Sequence, residues 1–218
     1  MGESSKLFLH DVFDKWLQKH HPNIPWCRYA DDGLVHCHSA AQAHSMLLVI
    51  GQRLAACGLE LHPQKTKMVY CQDERRKGHY HTTAFDFLGY TFRRRGCRGK
   101  DKLFSGFHPF VSTSALKAMR RKIRKSRIRS RTQVDLSAIA KALNPVMSGW
   151  LAYYGAFYRS EMYRLIRHVN KTLVRWAMRK YQSLRFSKRR AIAFLERMAQ
   201  QKPGLFVHWE KGMTGAFA

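Results

Sequence analysis

The fold of the first part of this chain is decided by the stretch Arg28-Tyr29-Ala30-Asp31-Asp32-Gly33-Leu34-Val35. Two short runs of strand-favouring residues, 26–30 and 34–37, flank Asp32-Gly33, which is a strong hairpin signal. We therefore predict a tight hairpin that presents Asp31 and Asp32 at its tip. Paired carboxylates suit hard cations such as Mg²⁺, which stabilise the oxygens of phosphoryl transfer. Asp and Gly also form ordinary solvated turns, so the pair alone does not distinguish a metal site from a turn.

The net charge of the chain is concentrated in its second part. The 218 residues carry a formal net charge of +26, with 45% hydrophobic and 12% aromatic residues, a composition typical of a folded protein of one or two domains. Residues 1–92 hold 10 Lys or Arg and 9 Asp or Glu, whereas residues 93–218 hold 30 and 5, so the net charges are +1 and +25. This asymmetry indicates a polyanionic partner, and the aromatic content favours nucleic acid over a membrane surface.

Cysteine usage and hydropathy indicate a cytoplasmic setting. The 5 cysteines form no CxxC pair and are odd in number, which argues against a disulfide framework. The sequence has neither an apolar run of membrane-helix length nor the apolar stretch of a signal peptide. We expect no membrane partner.

Periodicity predicts several elements in residues 1–92. Apolar residues recur at helical spacing from Leu7 to Leu17, and a second helix runs from Ala40 to about Cys57 with Ser39 as its cap. Short strands are predicted around residues 59–61 and 68–70. A strand pair over residues 85–92 turns near Gly89. Beyond residue 92, residues 103–111 can add a further short strand.

Basic helices dominate the second part. A helix is predicted over residues 116–131, and no acidic residue interrupts its cations. The next helix opens at Asp135 or Ser137 and is broken at Asn144-Pro145. A third helix runs from Glu161 to about Tyr181, and projection at 100° per residue places its cations opposite its apolar residues. The candidate nucleic-acid-binding residues are Arg120, Arg121, Arg124, Lys125, Arg127, Arg131, Arg164, Arg167, Lys171, Arg175 and Arg179.

Several dispersed motifs resemble one protein family. Tyr29-Ala30-Asp31-Asp32 resembles the catalytic hairpin of reverse transcriptases, and residues 58–67 and 85–92 follow in the order that this family uses. Farther on, four stretches resemble the maturase segment, domain X, of proteins encoded by bacterial group II introns: Asn144-Pro145, Gly149-Trp150, Tyr153-Tyr154 and residues 173–177. The resemblance runs from about residue 7 to about residue 209.

This resemblance implies roles for individual residues. Asp31 and Asp32 match the metal-binding catalytic pair, which implies Mg²⁺ as cofactor, and Lys65 matches a lysine proposed to assist the incoming triphosphate. Phe87, Leu88 and Gly89 fall in the primer-grip-like hairpin. The implied partner is structured RNA, above all group II intron RNA, with a DNA primer or target as a further candidate.

We expect an α+β fold: a partial reverse-transcriptase palm with an antiparallel sheet, followed by a mostly helical thumb and maturase domain. The expected segments are a partial palm over 1–92, a basic connector over 93–111, a helical RNA-binding domain over 112–199 and a C-terminal tail over 200–218.

The resemblance also implies that the metal site is incomplete. Family polymerases carry a third carboxylate on a strand many tens of residues before the hairpin, but only 30 residues precede Asp31, and Asp11 and Asp14 lie on the predicted first helix. We expect no autonomous DNA synthesis. Three alternatives stay open: a truncated intron protein that binds RNA, half of a split polymerase completed by a separate N-terminal reverse-transcriptase fragment, and an unrelated basic nucleic-acid-binding module.

Overall fold

A computed structural model describes residues 7–74, 78–98, 103–214 and 217. The chain forms two compact units, which we call unit 1 (Met1–Tyr70 with Tyr80–Thr82) and unit 2 (Cys71–His79 with Thr83–Ala218). Helices are combined with a two-stranded and a three-stranded antiparallel sheet, so the expected α+β class is confirmed. The division between the units lies before the expected basic connector over residues 93–111.

In its described residues, unit 1 contains two helices and one hairpin. Helix α1 comprises a π-helical segment, His10–Lys15, and an α-helical segment, Trp16–His20. Strands β1 (Trp26–Tyr29) and β2 (Asp32–Val35) pair antiparallel, and helix α2 spans Ala40–Ala56. The Ser39 hydroxyl caps α2 by accepting a hydrogen bond from the Gln42 N–H at 3.1 Å, which confirms the predicted helix start.

A small core holds unit 1 together. Its buried residues are Val12 and Leu17 of α1 and Met46, Ile50 and Leu54 of α2. Trp26 and Val35, which are partners in the hairpin register, pack against this core and attach the hairpin to the helices.

The strands predicted around residues 59–61 and 68–70 are wrong, because neither stretch is in a strand. Leu59 donates its N–H to the Leu54 carbonyl at 2.9 Å, so the chain continues directly from the end of α2. Leu59 and Leu61 instead pack against the core of unit 1. Their apolar character therefore reflects contact with a helix and not sheet pairing.

The three-stranded sheet belongs to unit 2. Strand β3 (Ala84–Phe87) pairs with β4 (Tyr90–Arg98), which confirms the strand pair that turns near Gly89, and β4 pairs with β5 (Leu103–Val111). Residues 93–98 of the expected connector are therefore strand, whereas β5 confirms the short strand predicted over residues 103–111. Arg93 and Arg95 are exposed, yet they lie against the sheet, because their guanidinium groups are 5.8 and 4.8 Å from the centre of the Phe110 ring on β5.

Five helices follow in the part of unit 2 that the structure describes. They are α3 (Thr113–Lys125), α4 (Leu136–Tyr154), α5 (Tyr163–Lys180), α6 (Lys188–Gln201) and α7 (Val207–Glu210). Short 3₁₀ turns lie between them at Ile128–Ser130, Arg159–Met162, Gln182–Leu184 and Pro203–Leu205. The buried faces of α3, α4, α5 and α6 form one continuous core.

Helix α3 ends earlier than the sequence predicts. It stops at Lys125 and not at Arg131, because Arg127 adopts a left-handed backbone conformation with φ of 50°. The chain then turns so that Ile128, which is only 3% exposed, enters the core. Burial of this one apolar side chain outweighs continuation of a solvated basic helix.

Helix α4 continues through Pro145, so the break predicted at Asn144-Pro145 is wrong. Proline removes one backbone hydrogen bond from the helix. Packing opposes that loss, since Leu143 and Met147 on either side are buried. The Asn144 side chain also donates to the Leu205 carbonyl at 3.0 Å and accepts from the Val207 N–H at 3.2 Å.

The residues that we expected to form a C-terminal tail pack into the core of unit 2. Phe206, Met213 and Phe217 are fully buried and Trp209 is 2% exposed. The His208 Nε2 atom lies 2.8 Å from Asn170 Oδ1 of α5. Burial of His208 lowers its pKa to about 4, so the ring is neutral at pH 7.

Candidate nucleic-acid interface

Helix α5 has a buried face and a basic face. Leu165, Ile166, Val169, Leu173 and Trp176 are all 0% exposed. On the other side lie Arg164, Arg167, Lys171, Arg175 and Arg179, all exposed to solvent. The two faces predicted by projection are therefore confirmed. The Trp176 Nε1–H donates to the Arg131 carbonyl at 2.9 Å and fixes the rotation of the helix.

A first open groove runs between α3 and α5, which we call the α3–α5 groove. All of its lining side chains are Lys, Arg or His: Lys117, Arg120, Arg124, Arg164, Arg167, His168 and Lys171. Arg120 and Arg124 of the predicted set thus join the basic face of α5. The other predicted cations of this region, Arg121, Lys125, Arg127 and Arg131, are exposed on the surface but do not line the groove.

A second open groove lies at the C-terminal end of α5, and we call it the Arg129–Arg185 groove. Its lining residues are Arg129, Arg175, Met178, Arg179, Lys180, Gln182 and Arg185. Arg129, Lys180 and Arg185 were not among the predicted site residues. Their charge was visible in the sequence, but the 3₁₀ turns that bring Arg129 and Arg185 beside α5 were not.

Neighbouring cations perturb one another in both grooves. Partial burial, together with the charges of Arg175 and Arg179, lowers the pKa of Arg129. Partial burial, with the charges of Arg120, Arg129, Arg124 and Arg175, lowers the pKa of His168, so this ring is neutral at pH 7. Phosphate groups in these grooves would relieve the repulsion and release condensed counterions.

Membranes are the other common polyanionic surface. Within the described ranges of the chain, no helix has the length and apolar character needed to cross a bilayer. The apolar residues of α5 and α6, including Leu173 and Leu195, are turned into the core. Neither helix presents an apolar face to a lipid surface.

The hairpin of unit 1 places both predicted carboxylates at its tip. Asp31 lies in the two-residue turn Ala30-Asp31, and Asp32 opens β2 opposite Tyr29. The turn falls before Asp32-Gly33, the position that the sequence favoured, because the pairing of Trp26 with Val35 sets the register. Both carboxylates are exposed.

Another carboxylate of unit 1, Asp14, accepts structural hydrogen bonds from Arg28. Arg28 Nε donates to Asp14 Oδ1 at 2.6 Å and Arg28 Nη2 donates to Asp14 Oδ2 at 2.5 Å, while Nη1 donates to the Ala30 carbonyl in the turn. Burial raises the pKa of Asp14, but the hydrogen bonds and charges of Arg28 and His10 outweigh it, so the pKa lies below 3.8. Arg28 of β1 thus links the hairpin to α1 through hydrogen bonds.

The described residues do not fit a complete Mg²⁺ site. Asp31 and Asp32 form a carboxylate pair, yet no group of three or more Asp, Glu, His or Cys side chains able to hold a metal ion exists among those residues. Lys65 is exposed in the turn at residues 63–65, where its N–H donates to the His62 carbonyl at 3.2 Å.

The primer-grip-like residues form a tight turn held by helix α4 and by Ser112, the residue before α3. Phe87 ends β3, and Leu88 and Gly89 have φ of 50° and 78°. The Tyr153 hydroxyl of α4 donates to the Leu88 carbonyl at 2.9 Å, and the Ser112 N–H donates to the Gly89 carbonyl at 2.9 Å. A Cβ atom at Gly89 would lie 2.6 Å from the Tyr154 hydroxyl, so this turn requires glycine.

Comparison with known proteins gives two family matches. A model of the reverse transcriptase (RNA-dependent DNA polymerase) family matches residues 4–92, and a model of the group II intron, maturase-specific domain matches residues 116–193. A search of curated proteins found no match. The first stretch includes the carboxylate hairpin, and the second includes most of α3 and all of α4 and α5.

Proposed function

We propose that this chain, which belongs to the family of group II intron reverse transcriptases/maturases, binds structured intron RNA through unit 2 and assists its splicing. One observation carries this proposal: the basic face of α5 continues into two grooves, where cations of α3 and of two 3₁₀ turns join those of α5. The lining residues of both grooves include no Asp or Glu. A solvated helix face normally mixes both signs of charge, because uncompensated cations repel one another.

The chemistry of the grooves favours backbone recognition. Lys and Arg contact phosphates at any sequence, so such contacts set position and orientation without reading bases. RNA selection then depends on the shape of the folded strand. A rigid surface that binds several phosphates at fixed spacing stabilises one arrangement of a structured RNA over others, which is the chemistry that splicing assistance requires.

Loss of three cations from α5 tests RNA binding. The triple variant R164A/K171A/R175A should bind a group II intron RNA more weakly in filter binding, and the slope of log K against log salt should fall by about 2 to 3. The matched control K15A/K19A/K67A removes the same charge from exposed positions of unit 1 and should keep the slope. Equal slopes for the wild-type chain and the α5 variant would refute the basic interface.

Splicing assistance has its own readout. We expect the wild-type chain to raise the splicing rate of a group II intron RNA at a low Mg²⁺ concentration where the RNA alone splices slowly. The α5 variant should lose this effect while the unit 1 control retains it. Tight binding without any rate increase would leave RNA binding intact and refute the maturase role.

The intact hairpin supports a second candidate function. Asp31 and Asp32 lie at the tip of a hairpin within the reverse transcriptase match, so this chain could supply two of the three carboxylates of a split polymerase. Primer extension with Mg²⁺ discriminates between the candidates. We expect no extension by this chain alone, and extension on addition of a family fragment that carries the missing carboxylate would establish the split enzyme.

A further inference from the structure

Phe186 is the most exposed large apolar side chain in the described part of unit 2. It is 88% exposed and lies between the 3₁₀ turn Gln182–Leu184 and the start of α6. Single exposed apolar side chains are common on proteins, so this exposure by itself carries no inference. The surroundings of Phe186 do.

The backbone on both sides of Phe186 is fixed. The Leu184 N–H donates to the Tyr181 carbonyl at 3.0 Å, and the Ser187 N–H donates to the Leu184 carbonyl at 3.1 Å. The Ser187 hydroxyl then caps α6 by accepting from the Arg190 N–H at 3.2 Å. Tyr181 packs against Phe194, with ring centres 5.1 Å apart. The Phe186 ring is therefore presented outward from an ordered corner, which reduces the entropy lost on binding.

Phosphate-binding groups lie directly beside this ring. The Arg185 guanidinium carbon is 5.3 Å from the centre of the Phe186 ring, and Arg185 also lines the Arg129–Arg185 groove. The same groove contains the amide of Gln182, which can both donate and accept hydrogen bonds. A cationic groove that ends at an exposed aromatic face matches the two parts of a nucleotide, its phosphate and its base.

We propose that Phe186 is a stacking platform for an unpaired base of RNA whose adjoining phosphate lies in the Arg129–Arg185 groove. This inference rests on the proposed function and adds a substrate preference to it: unit 2 engages single-stranded loops or bulges at this corner. Bases inside a duplex have both faces covered by their neighbours, so only an unstacked base can meet the ring.

A lipid surface is the competing occupant of a ring flanked by arginines. Membrane-surface helices bind through a continuous apolar face. The buried apolar residues of α6, Ala191, Leu195 and Ala199, are turned into the core, and Phe186 has no apolar companion in the Arg185–Arg190 segment. These features favour a base over a bilayer.

Two RNA ligands test the preference. Fluorescence anisotropy would give Kd for an unpaired oligoribonucleotide and for a fully paired hairpin of equal charge. Phe186→Ala should weaken binding of the unpaired RNA by about 5- to 100-fold and leave the paired RNA unchanged. Phe186→Trp should restore binding because it keeps the aromatic face, whereas Phe186→Leu should not. The exposed control Leu48→Ala in α2, where Leu48 is 66% exposed, should change neither Kd.

Each contrary result identifies what failed. The stacking platform would be overturned, with RNA binding left intact, by either of two results on unpaired RNA. One is an equal Kd for Phe186→Ala and the wild-type chain, and the other is a wild-type Kd for Phe186→Leu. If R164A/K171A/R175A bound both RNAs like the wild-type chain, the proposed function would fail instead. Phosphatidylserine vesicles cover the alternative: a loss of vesicle binding by Phe186→Ala with unchanged RNA binding would assign the ring to membranes.

A spectroscopic readout separates stacking from general weakening. An unpaired RNA containing 2-aminopurine should lose fluorescence when the wild-type chain or Phe186→Trp binds, because stacking quenches this base. Saturating Phe186→Ala should leave the fluorescence of the bound RNA unquenched. Quenching of equal size by Phe186→Ala would refute base stacking on this ring.

Discussion

The carboxylate hairpin of unit 1 and the basic face of unit 2 are the two features that the sequence marks most clearly, and they differ in their surroundings. Asp31 and Asp32 are exposed, and the neighbouring carboxylate, Asp14, is bonded to Arg28. The cations of α5, by contrast, are joined by cations of α3 and of two 3₁₀ turns. Among the described residues, no third metal ligand joins Asp31 and Asp32. The basic face of α5, in contrast, is extended by cations from other elements.

This difference shows what a motif needs beyond its own residues. A hairpin supplies two ligands from adjacent positions, but a metal site also needs side chains from other elements at fixed distances. A phosphate-binding surface tolerates variation in position, because charge acts over a longer range than coordination.

Trp176→Ala should cost unit 2 about 3–5 kcal/mol of unfolding free energy, because it removes a fully buried side chain and the hydrogen bond to the Arg131 carbonyl. Urea unfolding measures this change. Tyr163→Ala, on the same helix but 42% exposed, is the control and should cost about 1 kcal/mol or less. Similar losses of unfolding free energy for both variants would show that the buried side of α5 stabilises unit 2 no more than its exposed side does.

Acid should destabilise unit 2 before unit 1. His208 has a pKa of about 4 in the fold and 6.5 when exposed, so the unfolded state binds its proton at a higher pH. The free energy of unfolding of unit 2 should therefore fall by about 3 kcal/mol as pH decreases from 6.5 to 4. Asp14 has a lowered pKa, so its contribution to unit 1 is present above 3.8 and is lost only below that value.

Amide NMR signals from each unit report this titration separately. His208→Gln should remove most of the loss in unit 2 between pH 6.5 and 4. The more exposed His168, whose pKa is also lowered, accounts for a smaller remainder. Simultaneous unfolding of both units at one pH would contradict the predicted order.

Arg28→Ala should destabilise unit 1 by about 2 kcal/mol, because it removes charge-assisted hydrogen bonds to Asp14 and the contact with the Ala30 carbonyl. Thermal unfolding of unit 1 measures the loss. Lys15→Ala removes the exposed 2.6 Å pair with Asp11, which water screens, so this variant should unfold close to the wild-type midpoint. If Arg28→Ala and Lys15→Ala destabilised unit 1 equally, the hydrogen bonds of Arg28 would not be what holds the hairpin to α1.

Asp31→Asn and Asp32→Asn should have the smallest effects. Both side chains are exposed, so the expected change in unfolding free energy is about 0.5 kcal/mol or less, and RNA affinity should not fall. Unfolding with and without Mg²⁺ provides the check. If Mg²⁺ stabilised the wild-type chain but not the Asn variants, Asp31 and Asp32 would form a metal-binding site. The hairpin would then no longer differ from the basic face in lacking a ligand.

Local patterns predicted individual elements well. The hairpin followed from Asp32-Gly33 and its strand-favouring flanks, although the turn lies two residues earlier because the half-buried Trp26–Val35 pair sets the register. The Ser39 cap and the two faces of α5 were also predicted correctly. Each of these depends on residues within a few turns of one another, where capping and periodicity act.

Errors occurred where distant residues decide the outcome. Helix α4 passes through Pro145 because residues from the C-terminal segment bond to Asn144 and the flanking side chains are buried. Arg93 and Arg95 lie in a strand because β5 pairs with β4. The segment expected to be a tail fills the core of unit 2 with Phe206, Trp209 and Met213. Propensity is a weak guide where packing of distant segments contributes more free energy.

The sequence by itself determined the α+β class, the carboxylate pair at a hairpin tip, and the concentration of positive charge on helices with one apolar face. Tertiary structure alone decided which cations converge in two grooves, that Asp14 bonds to Arg28, and that Phe186 stands exposed beside Arg185. The physical reason is range. Periodicity, capping and turn formation act between near neighbours in the chain, whereas a binding surface depends on which helices the core brings together.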